Sequence, residues 1–352
     1  MKTKIRNFDI FFNLTKRHFL VFFKDKMRVF YTLMVPLIVL AVYVLFLRAL
    51  EYSGIESALK DFGITLVKND PLYDSVMALV DSWMLSGIIA VSTITIAIQT
   101  NNTIVHDKED GVNRDFVSSP INNNLVVASY FLFNYIVTVL LSVIVILITF
   151  LYLLVNGEFM LNFIDILTIF GILLYSSLLA TLFTLFICSF IKKESTLSSI
   201  IAVLSAAAGF LTGAYMPFSM MPEWVQNVCC FVPGTSFTAL FRYAFLSTPI
   251  NNVSNVLISQ YGVTAEQISG IVNSFGYNIS FFGTSVGPGW NAIITLIFIG
   301  IFVVLAFVTG SKLTSVISGS VIKISKKTRM KNHELHEEKI EKRKSRKEDK
   351  DN

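Results

Sequence analysis

The chain has 352 residues, 53% of them hydrophobic and only 15% charged, with a mean hydropathy of +0.64. Soluble domains carry about a quarter charged residues, so this composition excludes an ordinary soluble fold and implies a polytopic membrane protein. The net charge of +5 sits mostly in the two end segments. No folded module or aromatic platform accompanies it, which argues against nucleic acid as a partner.

In chain order, residues 1–28 mix Phe8, Phe11, Phe12, Phe19, Phe22 and Phe23 with Lys16, Arg17, Lys24, Lys26 and Arg28. An aromatic-rich face with cationic flanks suits a helix lying along the inner headgroups of a membrane. Runs of about 20 apolar residues then predict six spans. They fall near Val29–Leu47, Trp83–Thr100, Leu125–Val155, Phe163–Ile191, Leu197–Pro217 and Trp290–Ser311. Inside a bilayer the backbone must satisfy its own hydrogen bonds, so each is expected as a helix. Pro36 lies within the first span and predicts a kink there. Ser92, Thr93, Thr95, Gln99 and Thr100 dilute the second, as suits a helix facing protein or a cavity rather than lipid.

Between the first two spans, residues 51–82 carry six acids and two lysines and read as a small helical cap broken at Pro71. Between the second and third, residues 105–124 hold the run His106-Asp-Lys-Glu-Asp-Gly111, whose charges cannot lie in hydrocarbon. It must protrude as a short element anchored on both sides. After the fifth span, Pro217, Pro222 and Pro233-Gly234 punctuate two apolar pieces, Glu223–Val232 and Thr235–Ser247, each too short to cross. Pro222 fits the first turn of the first piece, and Pro233-Gly234 fits the turn between the two. The expected form is a helical hairpin dipping into the outer leaflet within an outer segment 218–289, with two helices resting on the surface as the alternative. Thr264-x-x-Gln267 predicts a capped short helix running to about Phe275.

Orientation follows from Lys and Arg. With both ends inside, residues 1–28, 105–124, 192–196 and 312–352 hold 8, 2, 2 and 13 of them, making 25 of 29. The remaining four are Arg48 at the outer end of the first span, Lys60, Lys68 and Arg242. No small-residue cleavage site follows the first apolar run, so no secretory signal peptide is expected. The three cysteines, Cys188 and the adjacent Cys229-Cys230, give no disulfide framework. The tail from residue 312 is basic and polar, either solvated or drawn to anionic lipid of the inner leaflet.

No phosphate-binding Gly-Lys loop, nucleophile elbow or zincin helix occurs, and His333-Glu-Leu-His336 has the wrong spacing for one. Asp165 is the only acid clearly inside a predicted span, so paired carboxylates of the kind an ion-driven carrier uses are not expected. Energy must therefore enter from a separate chain. Ser205, Gly209 and Gly213 line one face of the fifth span beside Ala206, Ala207 and Ala208. Such a face allows close helix approach, either within one subunit or at a dimer seam.

Three stretches together resemble the permeases of type-2 ABC exporters. The first is Lys108-Glu109-Asp110-Gly111, then Arg114, Asp115 and Phe116, then Ser118-Ser119-Pro120 entering a long span. It is similar to the family's cytoplasmic loop, although the usual Leu-rich helix after glycine is replaced by Val112-Asn-Arg-Asp-Phe116-Val. The second is Tyr215 through Pro217, Pro222-Glu223-Trp224, Pro233, Gly234 and Arg242, like the family's outer hairpin. The third is the leader segment with Arg17, Asp25 and Arg28 ahead of Pro36. The long basic tail is not part of the pattern.

The resemblance implies an all-α polytopic protein: an interfacial helix (1–28), a six-span domain (29–311) with an outer re-entrant hairpin, and a cytoplasmic tail (312–352). It implies that residues 105–120 dock on an ABC ATPase subunit, present in two copies, and that a second permease copy or a related permease completes the assembly in the cell membrane. ATP and magnesium would sit on the ATPase, with no cofactor and no catalytic or metal site in this chain. Amphipathic or hydrophobic cargo is expected, since no group in the predicted spans could pair a buried charge. A self-contained secondary carrier, or a non-transporting binding, immunity or regulatory protein on the same fold, are the competing readings.

Overall fold

The computed structural model describes residues 7–60, 63–68, 70–112, 121–216, 218, 221–264, 268, 279–281, 284–306 and 308–309. Among the described residues, six helices are long and apolar enough to cross a membrane: Lys26–Ser57, Pro71–Glu109, Asn123–Asn156, Phe163–Phe190, Glu194–Leu211 and Pro288–Ala306. We refer to them as spans 1 to 6. Every one overlaps a span expected from hydropathy. A leader helix, Asn7–Lys24, precedes them, and the chain is an all-α polytopic membrane protein. Its only described strands, Ile279–Phe281 and Thr284–Val286, form a small antiparallel hairpin just before span 6.

Span 2 is the centre of the bundle. Its apolar window is 100% buried, against 17% in each of spans 1 and 5. The hydroxyls that dilute its sequence turn back on their own helix: Ser92 Oγ donates to the Ile88 carbonyl at 2.6 Å and Thr93 Oγ1 to that of Ile89 at 2.9 Å. Local bonding of this kind satisfies a buried hydroxyl, whereas an unpaired one costs about 1–3 kcal/mol. The expectation that this helix faces protein therefore holds, and its core partners include Phe133, Ile146, Phe237 and Phe245.

Three boundaries differ from the sequence reading. Pro71 does not break a cap; it sits at the first turn of span 2, where its missing N–H is no loss. Span 5 ends at Leu211 rather than near Pro217, because Gly213 takes a left-handed φ of 68°. Pro233 and Gly234 are not a turn between equal arms but the first turn of a 29-residue helix, Pro233–Tyr261. That helix makes a 95° bend with the short helix Glu223–Cys229, the geometry of a broken span or re-entrant segment, and much of its first half is buried against span 2. The helix expected to reach Phe275, the segment at Pro217 and the tail from 310 onward fall largely or wholly outside the described residues.

Span 1 carries Pro36 within its first helix, Lys26–Val42. A π-helical turn, Tyr43–Leu47, follows, in which the Arg48 amide bonds back to the Tyr43 carbonyl. The chain then regains α geometry from Arg48 to Lys60.

Candidate functional site

The end of the bundle that carries the leader helix gathers the polar run between spans 2 and 3. After a turn at Asn101, the helix Asn102–Glu109 extends span 2 and fans its charges in three directions. Asp107 faces the leader helix, where Arg17 grips it with two parallel bonds, Nη1 to Oδ2 at 2.7 Å and Nη2 to Oδ1 at 2.8 Å. Tyr130 of span 3 donates its hydroxyl to the same carboxylate at 2.5 Å. Asp107 is 2% exposed, so only this set of charge-assisted donors makes its ionised form tolerable. The bonded carboxylate raises the pKa of Arg17 above its ordinary value.

His18, next to Arg17, is buried with its ring stacked 3.8 Å from that of Tyr130 and its Nε2 3.2 Å from Ser129 Oγ. Burial pushes its pKa down to about 3, against the pull of Asp107, so it stays neutral at ordinary pH. Leader helix, span 2 extension and span 3 thus meet in one buried polar knot.

Lys108 and Glu109 point elsewhere. The Lys108 ammonium donates to the carbonyls of Cys188, Ser189 and Ile191 at 2.7, 3.2 and 3.1 Å. These are the last carbonyls of span 4, where a cation complements the helix dipole. Glu109 Oε2 accepts from the Glu194 amide at 2.7 Å, capping the first turn of span 5. His106 Nδ1 lies 3.0 Å from Glu194 and its Nε2 3.4 Å from Asp110. Asp25 caps span 1 by accepting from the Arg28 amide, and the Arg28 side chain lies 3.5 Å from Asp25 and 3.9 Å from Glu194.

The element expected to protrude while anchored on both sides is anchored here through its own charges. Residues 106–109 are held to the body because each charge finds a partner at a helix end or on the leader helix. Asp110 and Gly111 emerge into a turn, Gly111 with φ 77°. Arg114, Asp115, Phe116, Ser118, Ser119 and Pro120 lie outside the described residues. The sequence reading omitted Asp107, His18 and Tyr130 from its candidates. The available signal was an acid followed by a lysine in a helix extending a span, where neighbouring side chains face different elements.

At the opposite end, the hairpin candidates divide. Pro222 precedes the short helix, Glu223 and Trp224 are exposed on it, and Pro233 and Gly234 are buried. Arg242 is not a loop cation. It is fully buried, its guanidinium 4.6 Å over the Trp83 ring and one nitrogen donating to the Gly213 carbonyl. A buried cation near the spans removes the argument that nothing there could pair a charge. Arg48 bonds both Asp81 and Glu158, two acids that lie outside the runs expected as spans 2 and 3. Asp165 caps span 4 with Asn162 and accepts from Ser247 and Thr248.

The small-residue face is not continuous. A Cβ on Gly209 would strike the Tyr215 ring, and Gly213 lies past the end of span 5 against Phe218. Both glycines make room for rings of their own chain. Ser205 has a buried hydroxyl without a partner, and the span still exposes Val203 and Phe210.

Among known proteins, a family model described as "ABC-2 family transporter protein" matches residues 54–308. A comparison with curated proteins finds none that matches.

Proposed function

The chain belongs to the ABC-2 transporter family, as a membrane permease subunit of an ABC transporter, and on that premise we propose that it moves cargo outward under force from a separate ATPase. The family implies an ABC ATPase partner. Two ATPase copies, with a second copy of this chain or a related permease, complete the proposed machine. ATP and magnesium belong to the ATPase. The leader end faces the cytoplasm of a cell whose plasma membrane holds the complex, in keeping with 25 of 29 Lys and Arg in the segments assigned inside.

The observation that carries the reading is the Arg17–Asp107 pair. Through it and its neighbours, one helix of eight residues is tied to the leader helix and to spans 3, 4 and 5. A push on the segment that follows it, beginning at Asp110 and Gly111, reaches most of the bundle through charged contacts. Such contacts reposition helices as rigid bodies rather than bending them. Closure of the ATPases then rocks the bundle and opens the hairpin end. Cargo is amphipathic, with an apolar body suited to the exposed apolar flanks of spans 1 and 5.

The test is transport with the cognate ATPase reconstituted in vesicles. Substituting Gly111 and Arg114 should abolish ATP-driven efflux while expression and folding persist. Efflux that survives loss of the ATPase would replace this reading with a secondary carrier. An unchanged phenotype in both variants would favour a binding role without transport.

A further inference from the structure

Far from the leader helix, the end of span 1, the start of span 2 and the end of span 3 converge on five polar side chains. The π-helical turn explains how span 1 contributes two of them. Residues five apart diverge by about 140° around an α-helix, but the wider turn stacks Tyr43 and Arg48 on one face. Both then reach the same oxygen: Tyr43 Oη donates to Asp81 Oδ1 at 2.7 Å and Arg48 Nε donates to it at 3.0 Å. Arg48 Nη2 donates to Glu158 Oε1 at 2.5 Å. Glu158 follows Gly157, the left-handed cap of span 3.

A guanidinium edge ordinarily takes both oxygens of one carboxylate. Here that edge is divided between two, which sets the carboxyl groups beside each other. Asp81 is fully buried and Glu158 is 7% exposed. Asp81 Oδ2, Glu158 Oε2 and the Tyr152 hydroxyl are all buried without a hydrogen-bond partner. With both acids ionised the site would hold two negative charges against one positive, and two carboxylates this close in an apolar setting do not both ionise.

We propose that Asp81 and Glu158 form a proton-binding site, with one proton held between the oxygen that each leaves unbonded. That proton gives Asp81 Oδ2 and Glu158 Oε2 the partner they otherwise lack. It also brings the cluster of Tyr43, Arg48, Asp81, Tyr152 and Glu158 to zero net charge, the least costly state for a buried site. Burial, reinforced by Asp81, pushes the Glu158 carboxyl well up from the usual carboxylate range, in the direction this arrangement requires. The site concerns this chain alone and stands apart from the transport reading.

The experiment is infrared spectroscopy of the purified full chain in lipid nanodiscs, following the carbonyl stretch of a protonated carboxylic acid against pH. The wild type should show this band at neutral pH and lose it only at alkaline pH. Glu158→Gln should abolish it at neutral pH. Asp81→Asn should move its loss to lower pH, because burial still favours the protonated Glu158 carboxyl while the neighbouring acid no longer does. Absence of the band in the wild type, its survival in Glu158→Gln, or an unchanged pH of loss in Asp81→Asn would overturn the proposal. Circular dichroism on both variants separates loss of the band from loss of the fold.

Discussion

Arg17 and Asp107 lie 90 residues apart and meet through two parallel hydrogen bonds, joining a helix outside the bundle to its central rod. Removing either side chain has different consequences. Arg17 is one-third exposed, whereas Asp107 is buried, so Arg17→Ala strands a charge where water cannot reach it. We expect a loss of about 2–4 kcal/mol in stability from Arg17→Ala. The double variant Arg17→Ala with Asp107→Asn should recover part of it. Thermal denaturation in detergent measures both, and ATP-driven efflux should fall in each variant even where stability recovers. Full efflux in the stable double variant would show that the pair is structural only.

Lys108 serves three carbonyls at the end of span 4. Lys108→Ala leaves these without their cation, and the expected cost is about 1–2 kcal/mol. Lys108→Met, which keeps the length, should lose nearly as much, because the ammonium rather than the stem makes the bonds. Hydrogen exchange at the end of span 4 should rise in both, with the rest of the span unchanged.

Gly209 gives a steric prediction. A methyl group there meets the Tyr215 ring, so Gly209→Ala should destabilise by about 1–3 kcal/mol. Adding Tyr215→Ala should relieve the clash. If Gly209 instead served a seam between two copies, Tyr215→Ala would rescue nothing, and cross-linking of the dimer would fall with Gly209→Ala alone.

His18 sets an acid limit on the leader helix. Its pKa is lowered from 6.5 to about 3, chiefly by burial, with Asp107 pulling the other way and Arg17 adding to the lowering. A separated His18 takes up a proton as pH falls through about 6.5 while the docked one does not, so stability is lost between pH 6.5 and 3. At pH 5 the loss is about 2 kcal/mol. His18→Gln should blunt that loss. Limited proteolysis of the leader helix at pH 5 and 7.5 compares the two.

How far the sequence disclosed this structure depended on the kind of signal. All six spans were legible because each apolar run exceeds the length that a bilayer demands, and the second announced its central place through Ser92, Thr93 and Thr95. Pro233 misled, because proline marks the first turn of a helix as readily as a loop between helices. Arg242 misled in another way: counting it as a loop cation assumed exposure, whereas Trp83 and the Gly213 carbonyl come from distant segments. Asp107 was visible as a charge, but its partner on the leader helix was not. Arg48, Asp81 and Glu158 were hidden for the same reason, since a π-helical turn has no signature in residue spacing.

The enclosure of span 2 separates the bilayer's influence from the protein's own. Spans 1 and 5 leave most of their apolar windows uncovered by the rest of the chain, whereas the window of span 2 is wholly enclosed. A thicker membrane or a changed acyl composition therefore acts first on the flanking rods and reaches the central one only second-hand. Volume and fit, rather than greasiness, govern which residues that rod can accept.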